Sequence, residues 1–173
     1  MNPAIFETKR LRARRWVASD VEALFAVYSD PEGMRWVGDG QPISRAECDR
    51  WMRVTMENYA ARGYGMFVLE ERTTGEIVGF GGLVHPGGQP EPEIKYALLR
   101  SHWGRGLASE IAPALLAYGA ERHGLSRIIA TVNPEHAVSQ RVLAKAGMKP
   151  CESRVESDGS VTLVYEWSPP GAP

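Results

Sequence analysis

The chain is short of the residue types that would settle its chemistry at a glance. It has only two cysteines, Cys48 and Cys151, in 173 residues. Without C-x-x-C spacing they supply neither a disulfide framework nor a thiolate metal cage, so both are expected to be plain thiols. The four histidines, His85, His102, His123 and His136, lie far apart and lack the i, i+4 spacing of a zinc site, so no metal is expected. Net charge is almost absent, with 20 Lys and Arg against 21 Asp and Glu. That balance lacks the basic footprint of a nucleic-acid binder, and any charged partner must be met locally. No apolar run is long enough to cross a bilayer, and the opening "MNPAIFETKR" has no apolar h-region. A cytoplasmic chain with no nucleic-acid or membrane partner is expected. No repeat or linker interrupts it, so one domain is expected over residues 1–168, with a flexible tail at 169–173 from the "SPPGAP" ending.

What is there reads as alternating strands and helices. "KRLRARRW" gives a first strand with Leu11 and Ala13 inward, the arginines in water and Trp16 closing it. Ser19 with Glu22 forms a capping box ahead of the apolar set Val21, Leu24, Phe25 and Tyr28; Ser44 with Glu47 forms another ahead of Trp51, Val54 and Tyr59. Strands follow at "MFVLEE", "IVGFGGLV" and "EIKYALL", the first two joined by "RTTGE". A helix over "SEIAPALLAYGAERHG" tolerates Pro113 and stops at Gly124. The strand "RIIATV", the helix "AVSQRVLAKAG" and the strand "SVTLVYEW" complete a mixed sheet with helices on both faces.

The stretch "SHWGRGLASE" stands between a strand and a helix. Such a turn gathers unpaired backbone N–H groups and the positive end of the helix dipole around one point, which suits an anion. Gly104 and Gly106 let the backbone approach it closely, and Arg105 adds a full charge. Ser109 stands where a dinucleotide fingerprint needs its third glycine, and the P-loop lysine is missing, so those two nucleotide motifs are excluded.

Four segments in order, "FETKRLRARRW", "GEIVGFGGL", "EIKYALLRSHWGRGLASE" and "VNPEHAVSQRVLAKAGM", resemble the GCN5-related N-acetyltransferase (GNAT) family, and within it the RimJ/RimL-like branch of ribosomal-protein N-terminal acetyltransferases. The resemblance implies an α/β fold: a mostly antiparallel mixed sheet of six to seven strands, splayed between the fourth and fifth, with about four helices on its two faces. It also implies acetyl-CoA as co-substrate. The pyrophosphate would sit on the N–H groups of Gly104, Arg105, Gly106, Leu107, Ala108 and Ser109, and Leu98, Leu99, His136 and Arg141 are further cofactor-binding candidates. Three positions depart from the family pattern: Trp103 opens the loop, Lys95 replaces a strand glycine, and His136 replaces an asparagine that would contact the arm.

Moving acetyl from a thioester to an amine requires a neutral amine, a stabilised oxyanion and a proton for the thiolate. Glu93 is the candidate base, although a solvated charge after "QPEP" is the plainer role. Ser139, assigned by the resemblance, is the candidate acid, with simple helix-start capping as the alternative. Tyr96 is a weaker polar candidate. The N–H near Leu98 would meet the oxyanion if the strand splays. Arg141 and Lys145, one turn apart, are candidates to meet the nucleotide phosphate, with solvated helix charges as the plainer role, while Arg100 and His102 are expected in solvent. Met34, Trp36, Tyr64 and Tyr96 are expected to line the acceptor cleft, with Trp51 in the core. The acceptor is a protein N-terminus or a small-molecule amine, and the protein a monomer or homodimer. A non-catalytic acyl-CoA sensor or partner-binding module is the competing reading.

Overall fold

The structure, a computed structural model, describes residues 2–173; residue 1 of the expected domain lies outside them. Among the described residues eight strands form one sheet: β1 (Ala4–Glu7), β2 (Leu11–Arg14), β3 (Met66–Glu71), β4 (Ile77–Val84), β5 (Glu93–Leu98), β6 (Ile128–Val132), β7 (Lys149–Val155) and β8 (Val161–Trp167). Their spatial order is β1-β2-β3-β4-β5-β6-β8-β7. Five α-helices accompany them: α1 (Val21–Tyr28), α2 (Pro31–Met34), α3 (Arg45–Arg62), α4 (Leu107–His123) and α5 (Ala137–Lys145). Every neighbouring pair is antiparallel except β5 with β6. That parallel contact is one ladder position, Glu93 opposite Ile129, with the Ile129 N–H donating to the Pro92 carbonyl at 2.9 Å. Beyond it the strands part, which is the splay expected between the fourth and fifth strands.

The expected elements form, and three more join them. β1 is only four residues long, and α2 is a single turn opened by Asp30, whose side chain accepts from the Glu32 N–H, and by Pro31. β7 carries no buried face along "KPCESRV", so it offers no alternation to read. Two apolar clusters fill the two sides of the sheet. One packs α4 and α5 through Leu107, Ile111, Leu115, Val142 and Leu143 against Ile94, Ile128 and Ala130. The other packs α1 to α3 through Leu24, Tyr28, Met34 and Cys48 against Val68 and Phe80. Burial on this scale, at about 25 cal/mol per Å² of apolar surface, supplies most of the drive to fold.

Two local expectations are corrected. Ser44 does cap α3, accepting from the Glu47 N–H at 3.2 Å, but Ser19 does not cap α1. Asp20 takes over that corner: its Oδ2 accepts from the Val17 N–H at 2.7 Å, and its two oxygens bind the Arg14 guanidinium at 2.8 and 2.9 Å. Arg14, expected in water with the other arginines of β2, is 8% exposed, and its Nε donates to Glu70 at 2.5 Å. Both carboxylates hold the guanidinium pKa above its already high ordinary value. Removing one member of such a buried set strands the other charges. Asp20→Ala is therefore expected to cost about 3–5 kcal/mol, seen in urea denaturation as a lower midpoint with an unchanged slope.

Candidate active site

The site begins with the backbone of β5. The Leu99 N–H donates to the Val78 carbonyl on the β4 side at 2.9 Å, while the Pro92 carbonyl accepts from β6. Backbone groups alternate along a strand, so the N–H groups of Tyr96 and Leu98 face β6. The ladder with β6 does not extend past Glu93, so these two donors open into the gap. The N–H of Leu98, the expected oxyanion donor, is thus left without a strand partner.

The Leu98 carbonyl accepts from the Trp103 indole N–H at 2.9 Å, which pins the following turn to the strand. In that turn Gly104 and Gly106 have φ of 71° and 75°, the left-handed region that glycine enters without steric penalty. Gly106 is the N-cap of α4, and no side chain caps it. The first-turn N–H groups of Gly106, Leu107, Ala108 and Ser109 therefore remain available to an anion. Leu107 is also buried in the core, which fixes the start of the helix.

The turn is held from outside by groups that sequence reasoning missed. The Glu110 carboxylate accepts from the Thr8 hydroxyl at 2.6 Å, the Arg10 N–H at 2.7 Å and the Arg10 Nε at 2.7 Å. Arg10 Nη1 also donates to the Arg105 carbonyl at 2.8 Å. The Arg105 guanidinium pairs with Glu71 at 2.8 Å, so much of the charge expected to face the anion is already engaged. The partners of Glu110 lie about a hundred residues away in the chain and Glu71 lies 34 from Arg105, so no local pattern links them.

Side chains of β5 divide between the two faces. Tyr96, half-buried against the α4 and α5 cluster, meets Ser139 on α5, hydroxyl to hydroxyl at 3.0 Å. Ser139 thus joins a side-chain pair rather than capping its own helix. Burial pushes the Tyr96 phenol up, with the Ser139 bond acting the other way, so it stays protonated. Glu93 points to the face that Ala97 and Leu99 share with α1 to α3. It is 2% exposed, not the solvated charge that its turn suggested. Its carboxylate accepts from Gln89 Nε2 at 3.2 Å and from the Thr131 hydroxyl, and pairs with Lys95 Nζ at 2.7 Å.

The remaining expected residues are placed as follows. His136 is the residue before α5 and stacks on Trp36, centroids 5.2 Å apart, with burial pushing its imidazole pKa down. Trp36 also carries the Arg35 guanidinium over its ring at 4.7 Å. Met34 is 3% exposed inside the second cluster, and Tyr64 is 5% exposed in the first, its hydroxyl 2.7 Å from His85 Nε2. Those two and Trp36 do not share one open wall in this conformation. Arg141 and Lys145 are exposed. Arg100 is exposed and pairs with Asp30, but His102, expected in solvent, is buried between Ser101 and Glu76.

A model of the acetyltransferase (GNAT) domain matches residues 10–149. The chain belongs to the GNAT acetyltransferase family. An uncharacterized N-acetyltransferase of Bacillus subtilis, YoaA, is 33% identical over 147 residues, covering 84% of this chain and 82% of that one. The crystal structure of an acetyltransferase from Agrobacterium tumefaciens, 27% identical, superimposes with a TM-score of 0.82 over 96% of this chain and 95% of its own. RimL, a ribosomal L7/L12 alpha-N-protein acetyltransferase solved with coenzyme A, shares the GNAT fold at a TM-score of 0.79 and 18% identity, over 96% of this chain and 98% of its own.

The tether at Glu110 has a testable pH signature. Burial raises this carboxyl, but the Thr8 hydroxyl, the Arg10 N–H and the guanidinium outweigh it and hold the pKa below the ordinary glutamate value. A depressed folded pKa stabilises above the unfolded value of about 4.3 and is lost as pH falls through the folded one. Glu110→Gln is expected to be less stable than the natural chain at neutral pH, with the difference closing on acidification. Denaturation across a pH series checks this, and a constant difference would rule out the ionised tether.

Proposed function

We propose that the protein is an acetyl-CoA-dependent N-acetyltransferase that transfers acetyl directly to a primary amine, either a protein or peptide α-amine or a small-molecule amine. The observation that carries this reading is the combination of unpaired β5 donors and an uncapped α4 start, joined by one glycine turn. A nucleotide thioester needs an anion site for its pyrophosphate and a strand edge for its amide-bearing arm, and both are present and continuous here. Exposed Arg141 and Lys145 on α5 suit the remaining phosphate. Acetyl-CoA supplies the activated acyl group. Neighbours of the same fold solved with coenzyme A, RimL and an aminoglycoside acetyltransferase, support the co-substrate and span both acceptor classes.

The chain's own residues take the remaining roles. The N–H groups of Leu98 and Tyr96 stabilise negative charge on an acyl oxygen held in the gap. Glu93 accepts the acceptor's proton. The Tyr96–Ser139 pair, kept neutral by burial, holds a proton for the departing thiolate. Neither cysteine lies on β5 or in the turn, which favours direct transfer over an acyl-enzyme.

Two substitutions separate binding from chemistry. Glu93→Gln is expected to lower turnover by about 10²–10⁴-fold while acetyl-CoA affinity, followed by calorimetric titration, is nearly kept. Unimpaired thiol release from this variant would remove Glu93 from the mechanism. Gly106→Asp places a carboxylate against the anion site and is expected to abolish coenzyme A binding in a chain whose circular dichroism is unchanged. Binding without thiol release across a panel of amines and free N-termini would instead identify a cofactor sensor.

A further inference from the structure

Lys95 lies at the start of the gap, is not used by the proposed chemistry, and stands where the family pattern has glycine. Its Nζ lies 2.7 Å from Glu93 Oε1 and 3.4 Å from the Thr131 hydroxyl. Glu93 and Ile129 are the last paired positions of β5 and β6, so Lys95 and Thr131, each two residues further on, face one another across the start of the gap. The Lys95 side chain is 43% exposed while its ion-pair partner is buried, so the residue reaches from solvent to the carboxylate. A primary ammonium therefore already sits on the carboxylate that any external acceptor must reach.

We propose that Lys95 is a self-acetylation site: with acetyl-CoA bound and no external amine present, the protein acetylates its own Lys95. This rests on the acetyltransferase reading above. A C–N bond forms between Nζ and the acetyl carbonyl carbon, and the C–S bond of the thioester breaks. The ammonium gives up two protons in all. One reprotonates the departing thiolate through the Tyr96–Ser139 pair, and the other leaves through Glu93 to solvent. The products are Nε-acetyl-Lys95 and coenzyme A thiol. Acetylation removes the charge that engages Glu93 and leaves its carboxylate open to another amine.

The sequence supplies internal references, because it contains only three other lysines, Lys9, Lys145 and Lys149. All three are exposed, so uncatalysed acetylation has freer access to them than to Lys95. The experiment incubates the purified full chain with acetyl-CoA alone and maps acetylated peptides by mass, beside a urea-denatured sample. Expected is acetyl on Lys95 well above the other three lysines in the folded chain only. Glu93→Gln is expected to lower its rate by about 10²-fold or more. Lys95→Arg should lose the mark while binding coenzyme A with unchanged affinity by titration, a readout independent of turnover. Acetylation spread evenly over the four lysines, or none on Lys95, in a sample that still releases thiol with external amines would overturn the proposal and leave the acetyltransferase reading standing. Coenzyme A binding with neither self-acetylation nor thiol release for any amine would overturn both.

Discussion

The parting of β5 from β6 is the constraint on which the rest of the site depends. A sheet interior ordinarily satisfies every N–H, and an unpaired buried donor costs about 1–3 kcal/mol. Here the sheet gives up its ladder after one position, leaving the Tyr96 and Leu98 donors for something other than protein. On the α4 and α5 face, Val142, Leu143 and the partly buried ring of Tyr96 belong to one apolar cluster, and the Tyr96–Ser139 bond ties β5 to α5. Burial of such side chains is worth about 1.5–3 kcal/mol each, so the helix that follows β6 is held firmly against the sheet beside the parted strands.

A free donor is useful only if it is aimed, and the turn after β5 shows how the aim is fixed. Trp103 ties it to Leu98, Arg105 to Glu71 on β3, and the Thr8, Arg10 and Glu110 set ties the first turn of α4 to the β1–β2 turn. The first strands of the chain thus hold the first-turn N–H groups of α4, the proposed anion site, from outside it. Preorganisation of this kind is what makes backbone donors effective, since no reorganisation remains to oppose binding.

Much of this was legible in the sequence because the relevant signals are local. The Gly-x-Gly turn, the Ser44 cap, the alternation of "EIKYALL" and the stop at Gly124 each depend on neighbours a few residues away. Ser139 was assigned through the family resemblance, but its bond to Tyr96 was not foreseen. Long-range pairings were illegible: Arg14 looked like another solvated arginine until Asp20 and Glu70 were seen around it, and Glu93 looked like a turn charge until Thr131 and Lys95 were. Burial of a charged side chain is decided by the elements that arrive from elsewhere in the chain, and composition does not encode it. β7 escaped notice for the opposite reason, since a strand exposed along its length leaves no hydrophobic period.

The two ends of the gap are built to different strengths. Its closed end is a backbone ladder beside a nearly buried carboxylate held by three partners. Its open end is bordered by the segments that follow β5 and β6, and the α2 region reaches both, through Asp30 to Arg100 and through Trp36 to His136. The first of these links is a solvent-screened ion pair of little net worth. The second is a partly exposed ring stack worth about 0.5–1.5 kcal/mol. The segment that carries Trp36 is anchored in the core through Met34, and only its links across the open end of the gap are weak. On the proposed reading, an enzyme that keeps its oxyanion donors in place through every turnover, yet admits an acceptor and releases an amide each time, would use that division between a firmly held closed end and a lightly linked open end.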